Sequence, residues 1–125
     1  MSSIEPEQTK PDFVIRFEEA SLAQKAAQAR ALREVLLDSA AGVEVKLTKH
    51  SNETMDLGSV LAVFLDSAAG AGVLIELAKG VSAYIARDRP AKLVIEADGR
   101  VIFEGNSRDA AAVAAAMQKV RNSAD

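Results

Sequence analysis

His50, Glu53 and Asp56 fall within seven residues of one another, and a histidine with two carboxylates is a donor set that a divalent cation accepts. Their spacing fits no established ligand pattern, and the polar run from His50 to Asp56 reads as a solvated loop. The same histidine could be combined with Asp38 and a serine as a nucleophile triad. No Gly-x-Ser-x-Gly elbow occurs, however, to expose an activated serine. The chain has no cysteine and a single histidine, which removes thiol nucleophiles, thiolate metal sites and multi-histidine metal sites. Gly70, Gly72 and Gly80 do not form Gly-x-Gly-x-x-Gly and follow no strand of the dinucleotide-binding kind, so no phosphate cradle is indicated. Arg30 with Glu34, four apart, reads as a solvated helix face. Arg87-Asp88-Arg89-Pro90 has the form of a helix end, with cations complementing the dipole and a proline preventing continuation; two arginines at such a corner could also serve a partner. No catalytic residue, cofactor or metal is expected.

The elements that would have to position any such group follow from composition and periodicity. The chain has 125 residues, which fits one domain, since most domains run to roughly 100 to 200 residues. It is 49% hydrophobic and 26% charged, as globular chains are. A net charge of −3, without a basic element, argues against phosphate neutralisation and hence against nucleic acid. Aromatics reach only 4% and alanine is the commonest residue, so close helix contacts must fill the core. Residues 1–12 carry two prolines and one aliphatic side chain and are expected to be a flexible lead-in. With no secretory signal in them, the expected location is the cytoplasm.

Phe13, Ile15 and Phe17 alternate with Val14, Arg16 and Glu18, the period of a half-buried strand. Ser21 and Gln24 have capping-box spacing, and Leu22, Ala26, Ala29, Leu32 and Leu36 recur as on one helix face, to about Ser39. After Gly42, Val43, Val45 and Leu47 alternate with Glu44, Lys46 and Thr48 as a second strand. The short turns suggest a crossover and a parallel pair. From Leu57 to about Arg87 the chain is strongly apolar, with Asp66, Glu76 and Lys79 as its few charges. One helix of that length would span roughly 45 Å, so a break at Gly70-Ala71-Gly72 and a central apolar helix hairpin are expected. Its three charges also interrupt any window long enough for a membrane span. Leu93, Ile95 and Ala97, then Asp98-Gly99, then Val101 to Phe103 predict a β-hairpin. Asn106 or Ser107 should cap a final helix running from near Arg108 to Val120.

From about Ala31 to Val120 the chain resembles the effector-associated constant component family, small bacterial proteins encoded beside variable effectors in predicted conflict and defence systems. Met55-Asp56-Leu57-Gly58-Ser59 is similar to that family's methionine and glycine signature, although methionine and glycine do not adjoin here. Leu65 to Gly72 looks like its small-residue joint. The stretch from Leu77 to Arg87 resembles its second helix, with Tyr84 where tryptophan is common, and Leu93 to Phe103 resembles its closing hairpin. The resemblance implies a non-enzymatic accessory or regulatory component that works with an effector, such as a peptidase, encoded nearby. It brings no catalytic residues.

Together these readings predict a two-layer α/β domain of the α+β kind over 13–122, with a four-stranded mixed sheet in the order β-α-β-α-α-β-β-α. Its expected role is protein–protein interaction. The expected partner surface lies on the helix hairpin, at Gly70, Ala71 and Gly72 and at Tyr84, Arg87 and Arg89, since tyrosine and arginine commonly anchor interfaces. A homo-oligomer through the alanine-rich helices is a further possibility. The competing expectation is an enzymatic or small-ligand-binding domain with a pocket between the helix pair and the sheet, where a buried Glu76 or Asp66 would titrate abnormally.

Overall fold

A computed structural model describes residues 11–39, 42–48, 60–65 and 71–124. Most of the expected lead-in, the whole of the polar loop with His50, Glu53 and Asp56, and also Met55 to Ser59, Asp66 and Gly70 lie outside the described residues.

Strand β1, Phe13–Glu18, buries Phe13, Ile15 and Phe17 and leaves the alternate side chains half-buried. Helix α1, Leu22–Ser39, begins on the expected box: Gln24 N–H donates to Ser21 Oγ at 3.1 Å, and Ser21 N–H donates to Gln24 Oε1 at 2.9 Å. Two of the donors left over at the helix start are thereby satisfied. Ala26, Ala29, Leu32 and Leu36 form its buried stripe, and each leucine there removes enough apolar surface from water for about 1.5–3 kcal/mol.

Strand β2, Val43–Thr48, is followed by strand β3, Val60–Leu65. This corrects the expected helix hairpin, because its first arm is a strand. In this strand Val60, Leu61, Ala62 and Val63 are all buried, although successive side chains point to opposite faces of the sheet. A strand buried on both faces loses the period of two and reads as an unbroken apolar run, which periodicity cannot separate from a buried helix. Only the second arm is helical. Helix α2, Ala71–Asp88, starts at the small-residue joint and ends at Asp88, where Arg89, at φ 52°, donates its N–H to the Ile85 carbonyl at 2.9 Å. Pro90 then prevents a further turn. At Gly80 a Cβ would come within 2.8 Å of Ser39 Oγ, so the glycine lets α2 approach the last turn of α1.

Strands β4, Lys92–Ala97, and β5, Arg100–Gly105, form the expected hairpin, with Asp98 at φ 55° and Gly99 at φ 79°. A turn with both central residues at positive φ matches the twist of the strands it joins. In β5 the register slips: Ile95 faces Phe103 but Glu96 faces Val101, which leaves Ile102 as an extra residue in a bulge. A 3-10 turn, Ser107–Asp109, leads into helix α3, Ala110–Ala124. Asn106 Oδ1 accepts Arg108 N–H at 3.0 Å, while Asp109 Oδ2 accepts Asn106 N–H at 3.2 Å.

The described residues form an α+β fold: three helices against a five-stranded, wholly antiparallel sheet in the order β2-β3-β1-β4-β5. The expectation of a four-stranded mixed sheet is corrected by β3. It also separates β1 from β2: these two run in the same direction, but each is hydrogen-bonded to β3 instead of to the other. Buried side chains of α1, α2 and α3 pack with Phe13, Ile15, Phe17, Val45, Leu61, Val63, Leu93, Ile95 and Phe103 in one core, all on one face of the sheet. No helix among the described residues is long and apolar enough to cross a membrane.

Candidate functional site

On the sheet face turned away from the helices, strand alternation and register align Arg16 and Glu18 of β1 with Lys92, Val94 and Glu96 of β4 and with Glu104 of β5. Arg16 is paired with Glu96, and its Nε lies 3.0 Å from Glu18 Oε2. Lys92 Nζ lies 2.8 Å from Glu104 Oε2 and 3.7 Å from Glu18 Oε1. The hydrogen bond from Arg16 holds the Glu18 carboxyl below its ordinary range, against the opposing effect of burial, with the charges of Arg16, Lys92 and Lys25 adding to it. The hydrogen bond to Glu104 likewise raises Lys92. General acid–base catalysis calls for a proton affinity poised near the working pH. These shifts go the other way, locking the ions in their charged forms, and the network ties β1, β4 and β5 together.

The outer edge of β2 is different, because its polar groups face away from the sheet. The orientation follows from Val63. Its carbonyl accepts Asp12 N–H at 2.8 Å, and Leu65 N–H donates to Asp12 Oδ2 at 2.7 Å, so Val63 and Leu65 direct their backbone groups toward β1. Val45 and Val43 stand opposite Val63 and Leu65. In an antiparallel ladder both polar groups of a residue point to one side and alternate along the strand. Val43, Val45 and Leu47 therefore present N–H and C=O outward. One of these groups is already engaged: Arg33 Nε of α1 donates to the Val45 carbonyl at 3.0 Å. Beside this edge runs an open groove lined by Arg33, Leu37 and the strand from Val43 to Leu47. Leu37 is 40% exposed there. Glu44 and Lys46, both exposed, point to the opposite face of the sheet, 3.5 Å apart, with Lys46 Nζ 5.5 Å from the Phe64 ring centre.

The residues expected to form a partner surface are not brought together. Gly72 lies in the first turn of α2 and Arg87 in its last, roughly 22 Å apart at the helical rise. Tyr84 is 1% exposed, its ring edge-on to Phe17 at 6.0 Å between centroids. It is a core residue, not a surface anchor. Its hydroxyl donates to the Gln28 carbonyl at 3.4 Å, and burial foremost, with the neighbouring Asp88, pushes it up to about 12. Arg87 and Arg89 are exposed, and Arg87 Nε contacts Asp88 Oδ1 at 3.1 Å. Ala71 opens α2, and Gly70 lies outside the described residues. Glu76 is exposed, so it is no buried carboxylate; Asp66 lies outside the described residues. Among the described residues no three histidine, aspartate or glutamate side chains gather so as to hold a metal ion.

No family model matches the chain, and neither a curated protein nor a solved structure is significantly similar to it. The edge of β2 and its groove escaped the reading of the sequence. A strand's place at an edge depends on its distant neighbours, here β3, whose unbroken apolar run does not distinguish a strand from a helix. The available signal was the β-branched and aromatic content of a run only six residues long, Val60–Leu65.

Proposed function

We propose that this protein is a non-enzymatic interaction component that assembles by strand addition at β2 and works beside an effector, such as a peptidase, encoded nearby. One observation carries the proposal: the outward backbone groups of Val43, Val45 and Leu47 lie along an open, partly apolar groove. An extended segment docking there would gain main-chain hydrogen bonds, with alternate side chains setting specificity. The ion-paired sheet face supports the same reading, since its carboxylates serve as cross-strand ties. The effector as partner rests on the sequence resemblance. For the enzymatic alternative, the exposure of Glu76 removes one of the two carboxylates on which it was built.

The test is Leu47→Pro, which deletes an outward N–H while sparing the ladder to β3, as proline does on edge strands. Association through this edge, read as self-association in sedimentation or as capture of the product of the neighbouring effector gene, should fall at least tenfold, with the circular dichroism spectrum retained. A folded Leu47→Pro protein undiminished in both would overturn the proposal.

A further inference from the structure

We infer that the strand received by β2 is β2 of a second copy of this chain, so that two sheets join antiparallel across a two-fold axis at Val45. The inference rests on the strand-addition reading above and names its partner. The register follows from charge. Outward-facing residues must pair with outward-facing residues, so the allowed alignments differ by steps of two. With Val45 opposite its own copy, Val43 faces Leu47, and Glu44 of each chain faces Lys46 of the other. A step one way sets Glu44 against Glu44; a step the other way sets Lys46 against Lys46. Like charges directly opposite destabilise a strand pair, and opposite charges stabilise it. Of these three two-fold registers, the one centred on Val45 alone sets opposite charges against each other, and it does so on both sides of the axis.

Three further features of the structure agree with this edge. Glu44 and Lys46 would fall in non-hydrogen-bonded pairs, where side chains stand closest. The Val45 carbonyl, which accepts Arg33 Nε, keeps a second lone pair for its counterpart. Joining the sheets would also bring the α1 helices alongside each other, over the groove where Leu37 is exposed. The other sheet edge is unsuited, because the bulge at Ile102 interrupts β5, and bulges are a usual guard against edge pairing.

Sedimentation velocity over a concentration series tests the register through two exposed, opposite-charge variants. Glu44→Lys and Lys46→Glu each place like charges opposite one another in the two-fold pair and should weaken dimerisation roughly tenfold or more. An equimolar mixture of the two variants restores opposite charges across the axis and should recover a dimer, as should the double variant Glu44→Lys/Lys46→Glu. A monomeric wild-type protein, or a dimer indifferent to these charge changes, would overturn the inference. If effector capture is still lost on Leu47→Pro in that case, strand addition stands with a foreign strand as occupant. If capture also survives that substitution, both readings fail.

Discussion

Tyr84 shows how far burial can change the meaning of a side chain. On an exposed helix end a tyrosine beside arginines would be an interface anchor; on α2 it fills the centre of the core against Phe17. Tyr84→Ala should therefore cost about 3–5 kcal/mol in chemical denaturation, as truncation of a buried aromatic does, and it is unsuited to probing a surface. The chain contains one tyrosine, so the ultraviolet absorbance of tyrosinate reports this hydroxyl alone. Titration of the folded protein should place its ionisation near pH 12, against 10 for an exposed tyrosine. Ionisation near 10 with the fold intact would contradict its burial. The hydroxyl is protonated more persistently in the folded than in the unfolded chain. Its contribution to stability is thus full below pH 10 and lost as pH rises through about 12.

The β4–β5 hairpin is the element whose geometry is most sharply specified by two residues. Gly99 sits at φ 79° with open space around the position of a Cβ. Gly99→Val should therefore act through backbone strain alone, costing about 1–2 kcal/mol. A loss below a few tenths in urea denaturation would show that the turn tolerates side chains there. The helix caps are comparably local. Ser21 with Gln24, and Asn106 with Asp109, satisfy helix-start donors from within four residues of sequence. Strand β2 differs from these elements, since being an edge is a property of the sheet it joins.

For the whole molecule, the charge network across β1, β4 and β5 links stability to pH. Glu18 titrates below its ordinary value of 4.5 in the folded chain because Arg16 and Lys92 favour the carboxylate. The resulting stabilisation is full above that value and is lost as pH falls through the lower, folded value. Glu18→Gln should destabilise the protein at neutral pH, and the gap between the two melting temperatures should narrow as the pH falls below the ordinary carboxylate value and through the lower, folded one. A gap that stays constant on acidification would mean the network contributes nothing through charge. Because Glu18 remains partly exposed, the effect should shrink in high salt.

The α+β class, helices α1 and α3, strands β1 and β2, and the hairpin of β4 and β5 were all legible in the amino-acid order. Each rests on interactions within a few residues: alternation at Phe13, Ile15 and Phe17, capping at Ser21, a positive-φ pair at Asp98-Gly99. The nature of 60–65 was not legible, because a strand covered on both faces gives up the alternation that marks a strand. From that segment follow the fifth strand, the wholly antiparallel sheet, the separation of β1 from β2 and the position of β2 at an edge. The burial of Tyr84 and the exposure of Glu76 were not legible for a related reason. A local apolar pattern shows that a helix has a buried stripe, but which residues it includes is set by the elements packed against it. Backbone groups at Val43, Val45 and Leu47 face outward because no strand among the described residues lies beyond them, and no run of neighbouring residues can encode that.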